Sequence, residues 1–191
     1  MQCVRHGIQN IYHASFSDEE ALDMLEAARD RHLVAPGLAW LINTARHAAE
    51  WGIKPGSPVT LLYERELEAA VDTLKKMHRR GIRICIGGDY GFAWTPQGTN
   101  ARDIQTFVEL LGFTPMEAIQ AATKCGGEIM NMGGELGLIR EGYLADLLLV
   151  DGDPIRDVRI LQDRDRILAI MKDGAFHKAP SERRSAYSFP A

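Results

Sequence analysis

The chain has 191 residues, 46% of them hydrophobic and 25% charged, with a formal net charge of −4. This composition suits one sizeable globular domain with a small annex and excludes disordered, collagen-like and coiled-coil architectures. Basic residues are scattered among acidic ones, no leader opens the sequence, and apolar runs such as Leu147–Val150 are far below the roughly 18–20 residues of a spanning helix, so neither nucleic acid nor membrane is an expected partner and the cytoplasm is the expected location.

Ile8–His13 reads as a short β-prone stretch. Ser17, with Glu20 three residues on, reads as a capping box opening a helix in which Leu22, Leu25 and Ala28 share a face. Leu33–Ile42 is apolar but holds Pro36 and Gly37, which predicts a strand running into a loop. A short helix is expected at Ala45–Trp51, then a turn cluster at Lys54–Pro58. Leu67, Val71, Leu74 and Met77 recur at helical spacing up to Gly81. Ile82–Ile86 is a compact β-branched run ending in Gly87-Gly88-Asp89-Tyr90-Gly91. Helices are expected from Asn100, with Asp103 at its third position, and from Thr114, with Pro115 first and Glu117 third. This βα alternation implies parallel strands with helices outside. After Gly133-Gly134, the pieces Leu144–Val150, Ile167–Met171 and Ala175–His177 predict part of a small antiparallel annex, and the aperiodic Pro180–Ala191 predicts a mobile tail.

In parallel α/β architectures, polar residues at the carboxyl ends of strands carry the chemistry. Two stand there: His13, a ligand or a hydrogen-bonded structural residue, and Asp89, a metal ligand or general base that could equally be a turn-making aspartate. The glycines around Asp89 clear room for close approach, but no G-x-G-x-x-G or Walker pattern supports a phosphate cradle. Cys3, Cys85 and Cys125 are odd in number, widely spaced and without a C-x-x-C pair, and are expected to be small buried thiols in a reducing compartment.

The run Gly81–Asp89, then Gly98-Thr99-Asn100, then Thr114–Thr123, resembles the last barrel strand and following helices of the metal-dependent amidohydrolases, in their imidazolonepropionase and prolidase-like branch. Gly137-Leu138-Ile139, Gly142, Ala145-Asp146-Leu147 and Asp151-Gly152-Asp153-Pro154 are similar to that superfamily's G-x-I-x-x-G-x-x-A-D-L-x-x-x-D-x-D-P signature, and Lys172-Asp173-Gly174 to its closing turn. The resemblance implies an α/β fold: the last three βα units of a TIM-like (β/α)8 barrel at 1–132, part of a β-sandwich annex at 133–178, and a flexible tail at 179–191. By it, Asp89 matches the last-strand aspartate that binds the metal and moves the proton. His13 matches the sixth-strand histidine of an I-E-H-G motif, here Ile11-Tyr12-His13-Ala14, which departs at Tyr12 and Ala14. Asp146 and Asp153 fall to the annex rather than to catalysis.

The implied cofactor is a divalent metal, zinc first. The family's H-x-H pair and its fourth- and fifth-strand ligands have no match here, and His6, His32, His47, His78 and His177 receive no ligand role. Since a catalytic zinc usually takes three protein ligands, His13 and Asp89 alone should bind metal poorly. Tyr90, Trp94, Asn100 and Arg102 are the substrate-binding candidates. Trp94, with Phe92, would form an apolar wall or simply pack the loop, and Arg102 would meet a substrate carboxylate or remain solvated or paired. The implied activity is hydrolysis of a C–N bond in a small molecule, with a homo-oligomer or a complementing N-terminal chain completing the site. The rivals are a non-catalytic scaffold and a small α/β binding module.

Overall fold

A computed structural model describes residues 1–180; the rest of the expected tail, 181–191, lies outside the described residues. A single turn, α1 (Gln2–Arg5), leads to β1 (Asn10–Tyr12), and Cys3 on it is exposed rather than buried because α1 buries none of its residues. Helix α2 (Glu19–Ala27) is capped by Asp18 and not by Ser17. Asp18 has the extended backbone a cap requires and its carboxylate accepts from the Ala21 N–H at 2.9 Å, whereas the Ser17 hydroxyl donates back to the Ala14 carbonyl at 3.0 Å.

The apolar run after Leu33 divides instead of continuing into a loop. β2 covers only Leu33–Ala35, because Pro36 cannot donate to a ladder, and α3 (Leu38–His47) starts directly after Gly37. Leu38, Leu41 and Ala45 form its buried face. The helix expected at Ala45–Trp51 is therefore the end of α3 followed by a 3-10 turn at Ala49–Trp51. Helix α4 (Pro58–Arg79) begins at the turn cluster, with Pro58 in its first turn and the Ser57 hydroxyl accepting from the Thr60 N–H at 3.3 Å.

β1 and β2 pair in parallel, with Ile11 opposite Val34. The stretch Ile82–Ile86 joins the far side of β2 through bridges rather than as a full strand. The Val34 N–H donates to the Arg83 carbonyl at 3.0 Å, the Cys85 N–H to the Val34 carbonyl at 2.8 Å, and Gly37 pairs with Gly87. The ladder is one-sided: the Ile86 N–H turns to the Ala121 carbonyl at 3.3 Å. Leu22, Leu25, Val34, Leu41, Leu67, Leu74, Met77, Ile84 and Phe107 fill one continuous core between these strands and the helices.

Helix α5 (Arg102–Thr106) runs into a π-helical turn, Phe107–Leu111. It starts two residues after Asn100, whose carboxamide oxygen accepts from the Gly98 N–H at 3.1 Å instead of capping the helix. Helix α6 (Pro115–Ala122) has the expected capping box, with the Thr114 N–H donating to Glu117 at 2.8 Å and the Glu117 N–H to the Thr114 hydroxyl at 3.3 Å. A short α7 (Lys124–Ile129) follows. β3 (Leu147–Val150), β4 (Ile167–Lys172) and β5 (Ala175–Lys178) then form an antiparallel sheet in that order. Asp146 accepts from the Lys172 ammonium and the Asp173 N–H, both at 2.7 Å, which fixes the β4–β5 turn. Asp153 accepts from the Ile155 N–H at 2.9 Å. Val158 reaches into the main core and Gln162 donates to Gln105 of α5 at 2.7 Å, so the annex is fastened to α5. No helix among the described residues is long and apolar enough to cross a membrane.

Beyond β1 the chain takes left-handed backbone at two consecutive non-glycine residues, His13 (φ 65°) and Ala14 (φ 58°). This conformation costs an L-residue about 1–2 kcal/mol, part of which glycine would give back as chain entropy. The Ala14→Gly variant should therefore be more stable, by up to about 1 kcal/mol in urea unfolding; an equal or lower midpoint would contradict the strain.

Candidate active site

His13 and Asp89 reach the same place from the ends of two different strands. The His13 N–H extends the β1–β2 ladder by donating to the Ala35 carbonyl at 3.0 Å. The segment just after it is pinned by α4: the Thr73 hydroxyl donates to the Ser15 carbonyl at 3.0 Å, and the Ser15 hydroxyl to Glu66 at 3.1 Å. On the other side, Gly87 lies against Ala35, and the Gly88 carbonyl accepts from the Trp40 N–H of α3 at 3.0 Å. Asp89 follows with φ 55°. Such non-glycine backbone persists only where the surroundings over-determine it, and it concentrates at functional sites.

Between the two side chains lies Gly37. A Cβ at that position would sit 2.7 Å from His13 Nδ1 and 3.6 Å from Asp89 Cβ, so only a hydrogen fits there. The imidazole and the carboxylate, both exposed, line an open concavity of about 320 Å³ with Tyr12, Ala35, Gly37 and Gly87. Gly37 was read from sequence only as part of a loop, and a glycine directly after a strand and a proline was the available signal of close approach.

A second carboxylate stands behind this loop. Asp103, at the start of α5, is 2% exposed and neither of its oxygens has a hydrogen-bond partner. It abuts Gly88, where a Cβ would lie 2.5 Å from Asp103 Oδ2 and also strike the Tyr90 ring. Burial pushes its carboxyl up to about 6, against the pull of the nearby Tyr90 hydroxyl and, less, of Arg102. Burial also raises the Tyr90 phenol, with the Asp103 charge adding to the effect.

The remaining sequence candidates are engaged elsewhere. The Trp94 indole N–H donates to the Thr44 hydroxyl at 2.9 Å, and the ring packs 5.3 Å from Trp40 and 6.0 Å from Trp51. Asn100 holds its own loop, and Arg102 lines a separate concavity with Thr99, Gln162 and Arg164 beside the annex. Of the other histidines, His32 is buried on the Ile8 carbonyl and His78 stacks on Phe113 at 3.8 Å. Trp40 escaped the sequence reading because α3 itself did.

An imidazole nitrogen and a carboxylate oxygen have the donor chemistry for zinc, and the exposed concavity over Gly37 leaves them free to use it. They supply two donors where a catalytic zinc takes three protein ligands, and no group of three or more His, Cys, Asp and Glu side chains able to hold a metal occurs among the described residues. The residues of this chain therefore fit part of a metal site and not a whole one.

Parallel strands with helices outside, a β annex and polar residues at strand ends are parts of an α/β-barrel type of fold. The amidohydrolase family's model matches residues 3–176, and the chain belongs to that family. It is 24% identical over 183 residues to an ochratoxinase of Aspergillus niger, covering 94% of this chain and 36% of that protein. An imidazolonepropionase of Rubrobacter xylanophilus is 36% identical over 64 residues, 34% of this chain and 15% of the relative. Among solved structures, a Xaa-Pro dipeptidase with methionine bound in its active site superposes with a TM-score of 0.78 at 27% identity, over 93% of this chain and 42% of that one. The chain thus spans well under half the length of these relatives.

Asp103 gives the loop a measurable pH dependence. Its folded carboxyl titrates at about 6 against 3.8 unperturbed, so the penalty for burying its charge is absent in acid, grows as pH rises through the unfolded value and is complete above the folded one. Wild-type stability should fall by an extra 1–3 kcal/mol or so between about pH 4 and pH 7.5, and Asp103→Asn should abolish that extra fall. Parallel stability curves for the two proteins would contradict the assignment.

Proposed function

We propose that the chain supplies one wall of the active site of a metal-assisted hydrolase of C–N bonds in amides, cyclic amides or dipeptide-like small molecules, and that its 1–132 portion is the last three βα units of a barrel. The observation that carries this reading is the facing of His13 and Asp89 across a position with no room for a side chain. The likeness to a Xaa-Pro dipeptidase supports a dipeptide-like substrate.

Asp89 takes the proton of the attacking water and delivers it to the departing nitrogen, a general-base step followed by a general-acid step. His13 would hold the cation together with Asp89 and lines the concavity a substrate carbonyl would enter. A bound divalent cation, zinc in this reading, would supply Lewis-acid polarisation and a more acidic water. Tyr90 follows Asp89 in the chain and packs behind Gly88 with Asp103, outside the lining of this concavity. The third donor comes from outside these 191 residues, for instance from a second copy or a complementing N-terminal chain. The free side of β1 supports such association: Tyr12 is 64% exposed and Phe16 70%, an open strand edge with apolar side chains beside it.

The two-donor count specifically favours a second reading, a scaffold that keeps the fold without the chemistry. Equilibrium dialysis against zinc, with the solution mass and the hydrolysis of Xaa-Pro dipeptides and N-acyl amino acids measured on the same sample, separates the two. On the catalytic reading, associated chains bind zinc stoichiometrically, chelator abolishes hydrolysis, and Asp89→Asn lowers the rate on the order of 10²–10⁴-fold. Failure to bind zinc or to hydrolyse either substrate in any association state would leave the scaffold reading.

A further inference from the structure

The side chain of Cys85 sits fully buried in a small patch with Leu33 and Ala35, and the patch is closed from outside by Cys125 and Ile129 of α7. The Cys85 thiol donates to the Cys125 carbonyl at 3.5 Å, so the two residues are in direct contact across the strand–helix junction. Neither cysteine is in a disulfide. We propose that Cys85 and Cys125 are a redox-active pair that closes to an intramolecular disulfide when the chain meets a peroxide, Cys125 being oxidised first and Cys85 resolving.

Access divides the roles. Cys85 is locked in the ladder by its N–H bond to Val34 at 2.8 Å and has no exposed surface. Cys125 is half-buried at the rim of an open concavity of about 380 Å³ lined also by His78, Arg83, Glu117 and Gln120, and the neighbouring Gly126 faces open space. Reactivity follows the thiolate. The adjacent Cys125 side chain, then burial, pushes the Cys85 thiol far up. Cys85 beside it holds Cys125 below its ordinary value; burial and the Glu128 charge oppose this, and Lys124 and Arg83 add to it.

The Cys125 thiolate attacks one peroxide oxygen: an S–O bond forms, the O–O bond breaks, and hydroxide leaves, the sulfur being oxidised and the peroxide reduced. Cys85 sulfur then attacks the sulfenic sulfur: the S–S bond forms, the S–O bond breaks, and the Cys85 proton leaves with the hydroxyl as water. The product ties α7 to the stretch that continues into Gly87-Gly88-Asp89. The pair stands on this chain's own packing and is independent of the hydrolytic reading.

The test is peroxide treatment of the folded full chain, followed by alkylation without reductant, intact mass and peptide mapping. The wild type should lose two hydrogen atoms, yield a Cys85–Cys125 linked peptide that reductant releases, and leave the exposed Cys3 alkylated. Cys3→Ser should behave identically, Cys125→Ser should leave Cys85 unoxidised, and Cys85→Ala should yield a sulfenic acid at Cys125 that dimedone traps. Recovery of both Cys85 and Cys125 as alkylated thiols from treated wild type, or their overoxidation without a link, would overturn the proposal whether or not the variants fold.

Discussion

Where β2 ends, the chain must leave the sheet through a point that admits no Cβ. Gly37 lies between the His13 ring and the Asp89 side chain, and it is also the residue from which α3 departs and which bridges to Gly87. A methyl group there would push the imidazole out, so backbone pairing and donor separation are set by one atom's worth of space. The two donors sit on left-handed backbone, at a cost on the order of 1–3 kcal/mol each. That cost is tolerated because α4 holds the segment after His13 through Thr73 and Glu66, and α3 holds Gly88 through the Trp40 N–H.

The rest of the fold serves as the rigid body behind this junction. Helix α4 presents Leu67, Ala70, Leu74 and Met77 to the core and carries Arg80 just beyond its end, which pairs with Glu19, Asp23 and Glu26 around α2. Those pairs are exposed and each adds no more than about 1 kcal/mol, so the buried apolar face does most of the fastening. The annex adds Val158 to the same core and keeps Asp146 and Asp153 occupied with turns. The site's donors, by contrast, face an open concavity at the free side of a sheet whose outer strand has no further neighbour among the described residues. A rigid support with an unfinished rim is what a chain spanning under half its relatives' length should look like.

Much of this was legible in the sequence where local rules act alone. The Thr114–Glu117 capping box and the apolar face of α4 are set by neighbours three or four residues apart, and they and the Asp173-Gly174 turn stand where the pattern placed them. The errors came where two signals overlapped. Pro36-Gly37 inside an apolar run hid a strand end and a helix start separated by only two residues, and the Ser17 reading passed over Asp18, whose extended backbone makes it the cap. Asn100 looked like a cap, but a nearer partner, the Gly98 N–H, took its carboxamide. His13 and Asp89 could be picked from their places at strand ends. Gly37, Asp103 and the Cys85–Cys125 contact could not, because their partners lie about 13 to 52 positions away in the chain and only the folded packing brings them together.

The claim on which the account depends is that His13 and Asp89 converge on one cation position over Gly37. Crystals of the full chain soaked in zinc and measured at its absorption edge test it most directly. The account predicts an anomalous peak in the concavity, about 2.0–2.2 Å from an imidazole nitrogen of His13 and a carboxylate oxygen of Asp89, and its loss in Gly37→Ala. A peak bound by other residues, or one that survives Gly37→Ala unchanged, would contradict it.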